Sequence, residues 1–395
     1  MSQQMRILAI FPFLFVFYEI TTYLANDMYL PALPTIAHEL STSRHYAQMT
    51  LTTWFLGTAA FQLILGPLSD RVGRRPIIFA GGLVYIIASL ICALTSNIVI
   101  LLIARFFQGS VVSSITAGYS AIHELYDQKK AIHVLAIIGS IVVLAPSFGP
   151  LLGALVLQGL SWRWIFGILT IWGLIALILL WIWMPESNPK ENRHPLQWKT
   201  IGKNYVNLIL NSHFMLNVLL FCFTFLGLIT WIAAGPFLII QEFKFSTLMF
   251  GVFQILVFGT WIVGSQLVKY FMEKVGVQNL VNIGLIILFG GGIFGVILTA
   301  CLPHFIWGII IAFMIFAFGS SLTYSTSQRL AIEACTEPMG ARLAVLSLLM
   351  YLFGVLGTLL VTLTYTGTLF WLAVLLLIVA ILASCMRLIE RKIPV

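Results

Sequence analysis

Charged residues are scarce in this chain, and their scarcity identifies its solvent. Only 9% of the 395 residues are Asp, Glu, Lys or Arg, against roughly 25% in a soluble domain. Water therefore cannot surround most of the chain. Cysteine is sparse as well: Cys92, Cys222, Cys301, Cys335 and Cys385 are scattered, odd in number and free of CxxC spacing. Neither a disulfide framework nor a zinc site is expected, only reduced thiols packed against lipid or protein. Catalytic signatures are missing too. HELST at 38 and HELYD at 123 begin like HExxH, but Thr42 and Asp127 stand where the second histidine belongs. With no GxSxG and no Walker loop either, no enzyme, metal site or cofactor is expected, and ATP is not the expected energy source. The opening MSQQMR runs into apolar sequence without a small-residue cleavage site, so no signal peptide is expected.

What fills the chain is apolar sequence, 60% of all residues. Runs of about 20 residues, enough to cross hydrocarbon, lie near 7–34, 46–67, 76–95, 98–123, 131–157, 163–184, 211–240, 247–270, 277–301, 304–328, 343–365 and 367–388. The reading is an all-α membrane protein with twelve transmembrane helices. Its net charge of +8 is not spread evenly. Basic residues gather in alternate connections: Arg71, Arg74 and Arg75; Lys129 and Lys130; Lys190, Arg193, Lys199 and Lys203; Lys269 and Lys274; Arg329 and Arg342; Arg387, Arg391 and Lys392. The intervening connections hold chiefly Arg44, Arg163 and Lys244. That alternation is the positive-inside pattern, which puts both termini and every basic loop in the cytoplasm. It explains the basic balance through the lipid bilayer, with no nucleic-acid partner.

One connection stands apart. PESNPKENRHPLQWKTIGKN, 185–204, is long, polar and proline-containing. It splits the spans six and six, giving an N-terminal bundle at 1–184, a cytoplasmic linker at 185–210 and a C-terminal bundle at 211–395. Trp162, Trp164, Trp181 and Trp183 flank the sixth span as interfacial anchors would. Equal halves imply a topological repeat, although GPLSDRVGRRP and GSQLVKYFMEKVGVQ share only glycines and basic residues.

Residues 66–76 read GPLSDRVGRRP. Gly66 and Gly73 permit close helix approach and a tight turn. Asp70 can pair with a cation or cap a helix, while Arg71, Arg74 and Arg75 anchor the loop at the inner leaflet. The stretch resembles the G-x-L-(A/S)-D-R-x-G-R-(K/R) loop of the major facilitator superfamily, in which it acts as a conformational latch. RFFQG, from Arg105, is similar to the R-x-x-Q-G element of proton-coupled members. Arg105 lies about seven residues, roughly 10 Å, into the fourth span. It either snorkels to the outer interface or is neutralised by a buried acid. APSFGPLLGA, 145–154, resembles the G-x-x-x-G-P-x-x-G-G motif of drug:proton antiporters, with Ala154 in place of the last glycine. Gly149 and Gly153 form a face for close helix packing, and Pro146 and Pro150 bend the helix.

The first span carries YEITTYLAND at 18–27. An acid at the centre of a membrane helix costs on the order of 2.5–3.5 kcal/mol, and here there are two. Glu19, Tyr23 and Asp27 recur every four residues and Asn26 follows Glu19 by seven, so they share one broad side, with the carboxylates about 12 Å apart. Such a stripe faces a cavity or a partner, and Arg105 is the available counter-charge. The stretch resembles the F-E-x-x-T-Y-x-x-N-D element of Mdf-type multidrug antiporters at Glu19, Thr22, Tyr23, Asn26 and Asp27; Tyr18 replaces the phenylalanine. The C-terminal half offers no counterpart. Its FTFLGLITWIAAGPF places Trp231 and Phe237 either in a pocket wall or in packing.

The resemblance implies a major facilitator fold of two six-helix bundles, for which a monomer suffices, in the plasma membrane (the inner membrane of a bacterium). It implies a proton-coupled antiporter exporting lipophilic, often cationic, amphipathic small molecules by alternating access. Protons and substrate compete at Glu19 and Asp27, with Arg105, Tyr23 and Asn26 beside them. An exporter dedicated to one metabolite, such as a siderophore or a sugar-like compound, would use the same machinery with a different pocket lining.

Overall fold

The apolar runs become helices in the computed structural model, which describes residues 3–142, 144–189, 191, 193 and 198–393. Lys190, one of the basic residues expected in the central connection, lies outside them. The chain divides into two compact units, Met1–Gln197 and Trp198–Val395.

The first unit begins with α1 (Gln3–Asp27), then a 3-10 turn at Leu30–Ala32 and the short α2 (Leu33–Glu39). Here the structure departs from the expected first span, which continued to 34. Pro31 and Pro34 cannot supply helical N–H groups and disfavour helix in the residue before them, so the chain turns after Asp27. Next come α3 (Arg44–Val72), α4 (Arg74–Leu94), α5 (Ile98–Gln108) and α6 (Ser110–Leu125), then α7 (Gln128–Val142), α8 (Ala145–Val156) and α9 (Arg163–Trp183). Pro146 sits in the first turn of α8, where its missing N–H has no helical partner to lose.

The second unit opens with α10 (Trp198–Leu210), followed by α11 (Ser212–Pro236), whose end widens into a π-turn at Phe237–Glu242. It continues through α12 (Thr247–Val275), α13 (Val277–Cys301), α14 (Ile306–Glu333), α15 (Met339–Thr364) and α16 (Leu369–Glu390). Among the described residues, ten helical stretches are long and apolar enough to cross a membrane. The remaining expected spans, the first and fifth, fall on α1 and on α7 with α8.

Large apolar side chains remain outside in both units: Phe13, Leu94, Ile286 and Leu363 are all more than two-thirds exposed. Hydrocarbon satisfies such a surface and water does not. Inside, each unit is filled by aromatic rings, including Phe15, Tyr85 and Phe166 in the first and Phe221, Phe250 and Phe313 in the second. Trp162 departs from its expected role as an interfacial anchor. It is buried, and its indole N–H donates to Glu39 Oε2 (2.7 Å), which also accepts from Arg163 (2.9 Å). That carboxylate ties the end of α2 to the start of α9. Trp164 and Trp181 do stay exposed.

Candidate functional site

The acidic stripe of α1 points inward. Glu19 is 1% and Asp27 3% exposed, and Asn26 and Thr22 are buried beside them, while Tyr23 is half-buried. Tyr119 of α6 donates its hydroxyl to Glu19 Oε1 (2.6 Å), and Asn26 Nδ2 donates to Asp27 Oδ1 (2.9 Å). Three more polar atoms along the stripe, Glu19 Oε2, Thr22 Oγ1 and Asn26 Oδ1, are buried without a hydrogen-bond partner among the described residues. Leaving such an atom unpaired costs roughly 1–3 kcal/mol. A side chosen for packing alone would carry leucine here, so the stripe is built to take up something polar.

Arg105 neither snorkels nor touches an acid. It is fully buried, and among the described ion pairs none joins it to Glu19 or Asp27. Its Nη1 donates to Ala25 O (2.8 Å) and Gln108 Oε1 (2.5 Å), its Nε to Thr50 O (3.4 Å), and its guanidinium lies 4.2 Å from the centre of the Tyr29 ring. The physical reason is the early end of α1. The last four carbonyls of a helix lack intrahelical partners and carry partial negative charge, so a buried guanidinium can settle on them. Arg105 thus holds the tip of α1 and acts on the Asp27 carboxylate only through space. Its own position is fixed by close packing of α3 on α5. A Cβ at Gly109 would come within 2.5 Å of Trp54 O, and one at Gly57 would overlap the Phe106 carbonyl. Gln108 completes the anchor by donating to Ser89 Oγ (2.7 Å).

Lysine cannot reproduce this fork. Arg105→Lys should leave at least one buried carbonyl unpaired and lower stability by roughly 1–3 kcal/mol. Thermal unfolding of the purified protein in detergent checks this; an unchanged melting temperature would remove the anchoring role.

The glycine face of α8 meets α1 at the same place. A Cβ on Gly149 would lie 2.9 Å from Asp27 Cβ, and one on Gly153 would overlap Met28 O. Pro150 is buried and Pro146 half-buried on the same helix. The structure therefore brings Gly149 and Gly153 to the end of α1 that carries Asp27, with Pro146 and Pro150 on the same helix. Two segments read separately in the sequence form one site.

The basic loop is a separate cluster at the junction of α3 and α4. Arg74 is its hub: it pairs with Asp70 (2.5 Å) and Glu124 (2.8 Å), and donates to Ser69 Oγ (2.6 Å). Glu186, just beyond α9, caps the start of α4 by accepting from the backbone N–H groups of Arg74 (2.9 Å) and Arg75 (3.3 Å). Asn188 donates to Asp70 O (2.9 Å). Gly73 turns the chain with φ 114°, and a Cβ there would meet Arg193 and Glu186 at 2.6 Å. Two expectations change. Arg74 is buried among carboxylates and Arg75 lies against Trp181, so of the three arginines only Arg71 is exposed as a surface anchor would be. Gly66 makes no close approach, since a Cβ there meets nothing within 4 Å.

Three of these partners are not marked by their sequence surroundings as site residues: Glu124 sits in HELYD and Glu186 in PESN, and Tyr119 has no local signal. In the second unit Trp231 and Phe237 are fully buried. Trp231 donates to Gln254 Oε1 (2.5 Å) and lies 5.0 Å from the Phe313 ring, which makes it packing and not wall. Among the described residues no group of three His, Cys, Asp or Glu side chains is gathered as a metal ion would need.

Comparison with known proteins places this geometry. A family model described as Major Facilitator Superfamily matches residues 15–358. The chain is 30% identical to the multidrug resistance protein MdtM of Salmonella typhimurium, over 84% of this chain and 80% of that one. It is also 30% identical to the multidrug transporter MdfA of Escherichia coli, over 88% and 85% respectively. Among solved structures, a bacterial homologue of the human lysosomal transporter Spinster, crystallised inward-facing and unoccupied, matches with a TM-score of 0.72 at 16% identity, covering all of both chains. That last likeness speaks for the fold alone.

Proposed function

The chain belongs to the Major Facilitator Superfamily, and from that premise we propose that it is a proton-coupled multidrug exporter of lipophilic, often cationic, small molecules. It is a multi-pass membrane protein, and the reading places it in the plasma membrane as a monomer with twelve spans and both termini in the cytoplasm. The two six-helix bundles are 1–184 and 211–395, joined by the linker at 185–210, with proton coupling in the first. Transport, not catalysis, is its work.

The observation that carries this reading is Asp27, buried at the tip of α1 directly under the glycine face of α8. A buried carboxyl is easier to protonate when desolvated and easier to ionise near a cation, so it can hold either a proton or an attraction for a cationic substrate. Glu19 repeats the device two turns earlier, with Tyr119 as its partner. When substrate binds, a proton leaves; when protons return, substrate is displaced. Alternating access then needs only that the site be offered to each side in turn.

Gradient-driven export from proteoliposomes tests the function. With an imposed pH gradient, ethidium and tetraphenylphosphonium should move against their own gradients, and collapsing the pH gradient should stop them. Failure of every lipophilic compound in a panel, with movement of one polar metabolite instead, would replace multidrug export by a dedicated exporter.

The loop around Asp70 is proposed to latch one of the alternating states. Asp70 is largely exposed and its buried partner Arg74 keeps Glu124 as a second carboxylate, so Asp70→Asn should change stability by only about 1 kcal/mol and leave substrate affinity unchanged. It should change the rate of exchange across the membrane. Weakened binding with unaltered exchange kinetics would count against the latch.

A further inference from the structure

The second unit contains a polar cavity that the carboxylates of α1 do not share. It begins where α11 loses its regular winding. At Phe237–Glu242 the helix widens into a π-turn, with the N–H of Phe243 donating to Leu238 O (2.9 Å). Such turns are rare and occur often at functional sites. Lys244 follows with φ 59°, a conformation uncommon outside glycine. This irregular end leaves Glu242 on the wall of a cavity of about 640 Å³, with Phe243, Thr299, His304, Gly367 and Phe370 around it. Gly367 has φ 79°, and even a Cβ there would come within 3.2 Å of Glu242 Oε1. Glycine is what lets the loop between α15 and α16 approach the acid this closely. The Glu242 carboxylate is exposed and makes no hydrogen bond or ion pair with any described residue.

We propose that this cavity is a binding site for an organic cation, a compact ammonium or phosphonium ion held by Glu242 between aromatic walls. The unpaired carboxylate sets the sign of the ligand's charge. Phe243 and Phe370 favour an organic cation over a hydrated inorganic one, because aromatic rings attract poorly hydrated positive charge. The volume falls within the roughly 300–1,000 Å³ of small-molecule sites. A metal ion is the wrong size and has the wrong donors here: Ca²⁺ takes about six to eight oxygens and Mg²⁺ an octahedral set, whereas this wall offers one carboxylate. The site lies at the far end of α11 from His213 and its neighbour Glu390, so it is remote from the basic end of the unit. In the proposed topology that is the outer face, where exported cations emerge. Only the ligand's identity as cargo rests on the transport reading; binding does not.

The test uses the full-length protein in detergent. Ala300, exposed on the cavity wall, becomes cysteine in a Cys301→Ser background, and its labelling by an uncharged maleimide is timed with and without tetraphenylphosphonium. Tetraphenylphosphonium should slow labelling saturably, whereas the uncharged triphenylphosphine oxide and Mg²⁺ should not. Glu242→Gln should weaken the protection about tenfold, as loss of one close charge interaction implies, and Glu242→Asp should keep most of it. Asp27→Asn should leave the protection intact, so this site and the transport mechanism can fail independently. Equal protection in Glu242→Gln, equal protection by the oxide or by Mg²⁺, or rapid labelling with no protection at all would each overturn the proposal. If Ala300→Cys does not fold, equilibrium dialysis of labelled tetraphenylphosphonium decides: in Glu242→Gln one bound equivalent must fill at about tenfold higher free concentration than in wild type, and an unchanged isotherm would overturn the proposal.

Discussion

Replacing Gly153 with alanine should sharply lower the melting temperature of the purified protein, and Gly153→Leu should leave no folded protein to purify. The obstacle at this position is backbone. A Cβ on Gly153 would overlap Met28 O and lie 2.7 Å from the Met28 carbonyl carbon. A side chain in the way can rotate; a carbonyl in the turn after α1 cannot. Overpacking that side chains can absorb costs roughly 1–3 kcal/mol, so alanine here should exceed that range and leucine should exceed the stability available. In a bilayer no hydrophobic force pushes helices together, and close contact between small residues supplies the attraction instead. Gly149 offers a graded comparison. Its added Cβ would meet the Asp27 side chain at 2.9 Å, so Gly149→Ala should fold but displace the carboxylate, and Gly149→Leu should impair coupling or folding. Gly159→Ala, with nothing within 4 Å, is the neutral control. Size-exclusion profiles after stepwise heating check the series. A monodisperse Gly153→Leu protein with tightly coupled export would mean that α1 and α8 do not pack as described.

The long helices were legible because each is a continuous apolar run, but α10 (Trp198–Leu210) was not: it lies wholly within the expected linker, where WKTIGKNYVNLIL mixes polar and apolar residues. The end of α1 was hidden by the same apolar signal. MYLPALP after Asp27 is apolar enough to prolong a span, although its two prolines, Pro31 and Pro34, already disfavour a continuous helix. Glu19 and Asp27 were legible because acids are costly in hydrocarbon, and a costly residue invites an explanation. Their partners were not. The sequence offers Arg105 a choice of acids, whereas the fold offers it carbonyls, which every residue possesses and no sequence can single out. Tyr119 lies 100 positions from Glu19, and nothing in ITAGYSAIH distinguishes it from a packing tyrosine. The proximity of the α8 glycines to Asp27 is likewise a tertiary fact. Both motifs could be read, but their meeting required the structure.

Asp27→Asn and Glu19→Gln should each leave a folded protein, and at least one should abolish the proton release that substrate binding triggers. Both substitutions keep shape and hydrogen bonds. The Tyr119 hydroxyl that donates to Glu19 Oε1 finds the same oxygen in glutamine, and Asn26 can still donate to an asparagine oxygen at 27. What disappears is the ability to carry a proton in one state and a negative charge in the other. Stability should therefore hold while coupling fails, a combination that loss of packing does not produce. Cationic and uncharged substrates should respond differently. At an effective dielectric near 20 and a separation of about 8 Å, one carboxylate attracts a cation by about 2 kcal/mol, roughly thirtyfold in affinity. Binding of tetraphenylphosphonium should fall by about that factor in the variant whose acid contacts substrate, and binding of an uncharged compound much less. The deciding measurement is proton release into a weakly buffered solution of purified protein on substrate addition, for wild type and each variant. Two carboxamide variants that both release protons as wild type does would remove Glu19 and Asp27 from the coupling step, because no other carboxylate is described within the α1 site.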